Sequence, residues 1–158
     1  MAEKKGVAMG QAGYGFDGDI LCAYGIGSCV VVVLYDSDSP RAAMLHAILP
    51  ERPDKKPKSA RYVDSGIEEI FMKLVESGAN TRDIEAKIYG GATMFETQQA
   101  EEAAIGPRNI KKAKETLERK GIPLTGEDTG GNYGRTIEFF VSEKKANVKS
   151  FKHGTKIV

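Results

Sequence analysis

Cys29 and His46 are the two side chains of this 158-residue chain whose types could together carry out acyl transfer. A thiolate is a strong nucleophile, but a free thiol with a pKa of about 8.5 is mostly protonated at neutral pH. A neighbouring imidazolium would stabilise the thiolate, and the same imidazole can later protonate a leaving amine. The cysteine follows a glycine-rich stretch, AYGIGSC from Ala23 to Cys29. Gly25 and Gly27 allow backbone angles closed to other residues, so a turn here can aim the N–H groups of Gly27, Ser28 and Cys29 at one point. Such a cluster holds the oxyanion of a tetrahedral intermediate. Thiol, imidazole and turn together describe hydrolysis of an amide or ester through a thioester.

Whether the pair meets depends on the strands that carry it. Gly18 to Leu49 reads as DILCAYG, CVVVVLYD and RAAMLHAIL, with a turn DSDSP between the last two. The run of four valines suits a strand covered on both faces. If the hairpin closes through the loop Asp36 to Ser39, Tyr35 faces Pro40, Val31 faces Met44, and Cys29 lies across from His46. Opposed residues in antiparallel strands share a face, with Cβ atoms about 4.5–5.5 Å apart. A slip of one residue would put the two groups on opposite faces. By type alone, a cysteine beside valines is more often a small buried hydrophobe, and a histidine on an apolar strand a satisfied core residue. Cys22, with no comparable partner, is read in that way.

The remaining elements supply the packing. Glu51 to Lys58, ERPDKKPK, reads as a surface loop. Val63, Ile67, Ile70, Phe71, Leu74 and Val75 form one apolar stripe, predicting a helix over Ser59 to Ser77 with Ser59 as N-cap and Gly78 as its stop. IEAKIYGGA reads as a strand ending in a glycine pair, and MFETQQAEEAA as a short acidic helix. A second main helix is expected over Asn109 to Lys120, with Ile110, Ala113 and Leu117 inward and Gly121 closing it. The C-terminal RTIEFFVSEKKANVKSFK reads as a hairpin. This order of elements indicates α+β or mixed α/β, with two main helices packed on a sheet.

Composition narrows the function classes. The chain is 41% apolar, enough for one domain spanning residues 1–158 with a real core. A formal net charge of +1 gives no reason to expect nucleic acid as a partner. No secretory signal is evident at the N-terminus, and the run Cys29 to Tyr35 is far too short for a membrane-spanning helix, so a soluble cytoplasmic protein without membrane insertion is expected. Cys22 and Cys29 should then be reduced thiols. With His46 and His153 as the only histidines, the spacing fits no common zinc pattern, and no cofactor is implied.

Three weaker signals remain. GYGFDG at Gly13 to Gly18 matches a dinucleotide fingerprint in letters, but strand-like residues follow it, so it reads as a turn. EDTGGNYGR at Glu127 to Arg135 is either a hairpin connection or an anion-binding loop built on Arg135. Arg52, Lys55, Lys56, Lys58 and Arg61 form a basic cluster, either a solvated face or a dock for an acidic partner.

Taken in order, GIGSCVVVVLYD, HAILP, RYVD, AKIYGGATMF, IGPRNI and DTGGNYGR resemble the CheD family of chemoreceptor glutamine deamidases over nearly the whole chain. The resemblance implies a layered α/β sandwich of mixed sheets, similar to the catalytic domain of cytotoxic necrotising factor toxins. It implies hydrolysis of glutamine amides on the cytoplasmic domains of chemoreceptors, with Cys29 as nucleophile and His46 as general base. Glutamyl methyl esters are a second conceivable substrate, and a CheC-type phosphatase is the implied regulatory partner. The family's pattern carries a threonine six positions before the nucleophile, where its hydroxyl helps orient the histidine; here that position is Ala23. A backbone carbonyl or another side chain would have to take over, or the chain would act as a non-catalytic regulator. Pro107 also stands where the family commonly has glutamate.

Overall fold

The computed structural model describes residues 2–94 and 104–158. Among them, ten strands and two α-helices form an α+β sandwich of three layers. The strands are β1 (Lys4–Gly6), β2 (Gln11–Gly15), β3 (Ile20–Ile26), β4 (Val30–Asp36), β5 (Ala42–Ala47), β6 (Ile84–Gly90), β7 (Leu124–Thr129), β8 (Arg135–Phe140), β9 (Lys145–Ser150) and β10 (Gly154–Ile157). The helices are α1 (Val63–Glu76) and α2 (Ile105–Lys120). A central sheet runs β2-β5-β4-β6-β7 and an outer sheet β1-β3-β8-β9-β10, each with one parallel pair, β6 with β7 and β1 with β3. Neither helix is long and apolar enough to cross a membrane.

The central strands are apolar on both faces because both are covered. Val30, Val32, Leu34, Ala43 and Leu45 pack against Val63, Ile67, Ile70 and Leu74 of α1 and Ala113 and Leu117 of α2. Val31, Val33, Tyr35, Ala42 and Met44 turn the other way and pack against Leu21, Ala23, Ile137 and Phe139 of the outer sheet. Val30 to Val33 are each 0% exposed, and burying a valine contributes about 1.5–3 kcal/mol. Both Cys29 and His46 belong by alternation to the second face, between the sheets.

The hairpin register differs from the expected one by two residues. Tyr35 faces Ala42, Val33 faces Met44, and Val31, not Cys29, faces His46. Turn chemistry explains the shift. Asp36 accepts hydrogen bonds from the Asp38 N–H and the Ser39 hydroxyl, and its own N–H donates to the Arg41 carbonyl. Asp36 is therefore the last strand residue, and Pro40, which has no N–H to offer a ladder, stays in the turn.

Helix α1 begins at Val63, not Ser59, and its cap position, Tyr62, makes no side-chain capping bond. The first helical N–H groups are satisfied from elsewhere: Val63 donates to the Leu49 carbonyl and Asp64 to that of Pro50. In return the Arg61 carbonyl accepts from Ile48 and Leu49. The RYVD and HAILP segments thus clasp each other through the backbone. Helix α2 starts earlier than expected, at Ile105, since Pro107 falls in a first turn where no N–H is needed. It ends as expected at Gly121, in a left-handed conformation. The C-terminal hairpin is present as β8 and β9. By contrast, the Glu127 to Arg135 segment is a crossover between the two sheets, joining β7 to β8, and not a hairpin. The acidic helix expected from Met94 to Ala104 falls largely outside the described residues.

Candidate functional site

Strand β3 carries a bulge between Ala23 and Ile26, with Gly25 at a φ of 60° that side chains rarely adopt. The bulge re-aims the chain into the turn that delivers Cys29 to the start of β4. Gly27 has no such unusual angle; its missing Cβ instead leaves room for Met94, whose Cγ would lie 3.1 Å from one. The carbonyls of Gly27, Ser28 and Cys29 are each anchored to other segments. Gly27 accepts from Ala92 N–H, Cys29 from Gly91 N–H at 2.8 Å, and Ser28 from the Asn109 side-chain amide at 2.9 Å. Among the described residues, the Ser28 and Cys29 N–H groups have no protein acceptor.

Two glycines make this anchoring possible. At Gly90 a Cβ would stand 2.6 Å from the Cys29 carbonyl oxygen, and φ is 97°. At Gly106, in the first turn of α2, a Cβ would stand 2.3 Å from the Ala92 carbonyl oxygen. The helix and the KIYGGA strand end therefore press together behind the turn that bears Cys29. Asn109, fully buried, spans the same gap: its amide nitrogen donates to Ser28 O and, at 3.0 Å, to Ile48 O. One side chain thus ties the segment bearing Cys29 to the segment following His46.

Cys29 is 8% exposed and His46 3%. In the observed register Cys29 is diagonal to His46 on the same face, a relation that places Cβ atoms up to about 7–8 Å apart, within reach of long side chains. His46 Nδ1 lies 3.0 Å from the Val7 carbonyl oxygen. A carbonyl can only accept, so Nδ1 carries the proton and Nε2 the lone pair. Nε2 is buried and, among the described residues, has no partner. A buried acceptor left unmatched costs stability, and calls for a chemical reason. The segment before β2 grips His46 twice, because the Gly10 N–H also donates to the His46 carbonyl. Ala23, packed in the inter-sheet core, has no hydroxyl to contribute; the Val7 carbonyl is the group that meets Nδ1.

Electrostatics oppose a resting ion pair. Burial pushes the Cys29 thiol above its ordinary range, partly offset by its own backbone N–H. Burial pulls the His46 imidazole below its ordinary value, against the opposing pull of the Val7 carbonyl. The pair therefore rests as thiol and neutral imidazole, where the sequence had suggested thiolate and imidazolium.

The other candidates resolve differently. Arg135 is 1% exposed and spends its guanidinium on Asp128, the Gly130 carbonyl and the Tyr133 hydroxyl, so it is structural and no anion receptor. Its loop instead supports the glycine pair: Gly130 N–H donates to Gly90 O, and Thr93 N–H to Gly131 O. Within GYGFDG, the first three residues lie in β2 and the rest form the turn into β3. Cys22 is a free, buried thiol. Asn109 and the Val7 carbonyl were not legible as site components. The first lay unremarked in IGPRNI, and a backbone atom leaves no signal in residue types.

Comparison with known proteins fits this convergence of segments. The CheD family model, described as CheD chemotactic sensory transduction, matches residues 48–150. A protein named probable chemoreceptor glutamine deamidase CheD from Pyrococcus horikoshii is 39% identical over 94% of this chain and 93% of its own length. Proteins of the same name from Caldanaerobacter subterraneus (39%, covering 88% of each chain) and Methanosarcina barkeri (42%, covering 85% of this chain and 89% of the relative) are similar over nearly as much. A match spanning 94% of the chain includes positions 29 and 46 wherever it begins. With the family model and relatives agreeing across most of its length, the chain belongs to the CheD family.

Proposed function

We propose that this chain is a chemoreceptor glutamine deamidase that works through a Cys29 thioester with His46 as general base. The observation that carries the reading is the buried, unpartnered Nε2 of an imidazole oriented by a backbone carbonyl, on the same inter-sheet face as Cys29. As the sulfur attacks the glutamine amide carbon, its proton passes to Nε2. The carbonyl oxygen becomes an oxyanion facing the N–H groups of Ser28 and Cys29, in the turn begun by Gly27. When the intermediate collapses, the C–N bond breaks and Nε2 returns the proton to departing ammonia. Water then attacks the thioester, again giving its proton to Nε2. The C–S bond breaks, the thiol regains that proton, and the product is glutamate.

A glutamyl methyl ester would follow the same course, losing methanol in place of ammonia. The cytoplasmic domains of chemoreceptors are the proposed substrates and a CheC-type phosphatase the proposed regulator. A purely regulatory role would rest on Ala23, which lacks a hydroxyl; the contact of the Val7 carbonyl with Nδ1 supports the catalytic reading. The test is mass spectrometry of a chemoreceptor cytoplasmic fragment after incubation with the chain. Specific glutamines should show the mass increase of amide turned into acid. Unchanged glutamines across cognate receptors, with binding intact, would sink the reading.

The neutral resting pair has its own signature. His46, shifted down, is already an unprotonated base below its ordinary pKa of about 6.5, and Cys29, shifted up, keeps its proton beyond the usual value of about 8.5. The kcat/KM profile is expected to be flat between these limits, falling in acid and in alkali outside them. Alkylation of Cys29 by iodoacetamide should instead climb with pH past the ordinary thiol range. Rapid alkylation with a plateau in mild acid would mean a resting thiolate, and would contradict the neutral pair.

A further inference from the structure

We propose that the groove between the Leu49–Tyr62 loop and the first turn of α2 binds an acidic segment of the substrate receptor; this rests on the deamidase reading for the identity of that receptor. The groove has a volume of about 720 Å³, with Leu49, Pro53, Tyr62 and Ile105 among its apolar walls. Its charged lining consists of Lys56, Arg61, Arg108 and Glu51. Glu51 is engaged by Lys112 at 3.3 Å and lies 3.9 Å from Arg108. Among the described residues, neither Lys56 nor Arg61 is paired with a carboxylate, so the lining is positive on balance. The first turn of α2 adds to it: it holds no acidic residue, and its cap, Ala104, supplies no side-chain acceptor. The positive end of that helix favours an anionic group.

The groove is linked to the candidate active site through neighbouring segments, although Cys29, His46 and Ser28 do not line it. Leu49 follows Ile48, whose carbonyl Asn109 holds together with that of Ser28. Ile105 and Arg108, on the same helix as Asn109, line the groove one turn away. A protein substrate extends well beyond its reacting glutamine, and in this proposal part of it lies against Lys56 and Arg61. Apolar walls with a cationic rim suit a segment carrying both apolar and acidic side chains, with charge acting on encounter and register.

The test separates binding from turnover by using the Cys29→Ala chain with a chemoreceptor cytoplasmic fragment. Adding Lys56→Glu and Arg61→Glu should weaken the Kd at least about tenfold and remove most of its dependence on salt concentration. Adding Lys145→Glu and Lys152→Glu, an equal charge change on the outer sheet, should leave it unaltered. In the catalytically intact chain, the Lys56 and Arg61 changes should raise KM for the receptor at least about tenfold. Equal affinity in both double variants, or no binding of the receptor fragment at all, overturns the groove. Groove-dependent binding without any deamidation would instead overturn the enzymatic reading and leave the groove standing.

Discussion

Cys29→Ala is expected to lower deamidation by at least about 10⁴-fold, since removing the nucleophile of a catalytic unit forfeits most of what the unit supplies. The remaining fold should be little disturbed. Cys29 lies at the edge of the inter-sheet core, next to the start of β4, and its backbone holds the turn through its carbonyl bond to Gly91, which alanine retains. Thermal unfolding of the variant should therefore stay near that of the parent chain, and receptor binding should persist. His46→Ala should reduce turnover comparably, but for a second reason as well: it empties a site fixed by Val7 and leaves that buried carbonyl without its donor. Turnover by Cys29→Ala at the parent rate would remove the thioester mechanism. Loss of turnover together with loss of folding would show Cys29 to be a structural residue instead.

The distance between the sequence reading and the structure has physical causes that differ from residue to residue. The face shared by Cys29 and His46 was legible because alternation along CVVVVLYD and RAAMLHAIL fixes which side chains point inward. A displacement of two residues preserves that assignment, whereas one would destroy it. The register itself was not legible, because it is decided in the turn, where the Asp36 carboxylate outcompetes the assumed loop. Strands β1 and β10 escaped for another reason. β1 has three residues and β10 is exposed throughout, so neither carries an inward pattern, and only pairing with neighbours makes them strands. Arg135 looked like an anion receptor because a charged residue in a glycine-rich loop is normally exposed. Its burial became affordable only through three partners brought in by folding. The dispersed motifs had no evident common purpose in one dimension. In three, HAILP clasps RYVD, KIYGGA anchors the nucleophile turn, and DTGGNYGR holds the glycine pair.

Asn109 is the joint of that arrangement, and altering it is expected to have the second large effect. Both atoms facing its side chain are carbonyl oxygens, so the NH₂ end must point toward them, leaving Oδ1 buried without a partner among the described residues. Asn109→Ala removes the donor from two half-buried carbonyls, at about 0.5–1.5 kcal/mol each, and opens a small cavity. Asn109→Asp is worse in kind, because it sets a carboxylate against two carbonyl oxygens. Beyond stability, the Cys29 turn and the segment after His46 lose the side-chain tie that Asn109 gives them. A shift of about 1 Å in such a pair can cost roughly 100-fold in rate. The expected result for Asn109→Ala, assayed well below its own unfolding temperature, is a kcat lower by about 10- to 100-fold with KM for the receptor nearly unchanged. The groove that binds substrate is lined by neighbouring residues that the substitution leaves in place. A parent-like kcat in folded Asn109→Ala, with only the melting temperature reduced, would show that Asn109 supports the fold without positioning the catalytic pair.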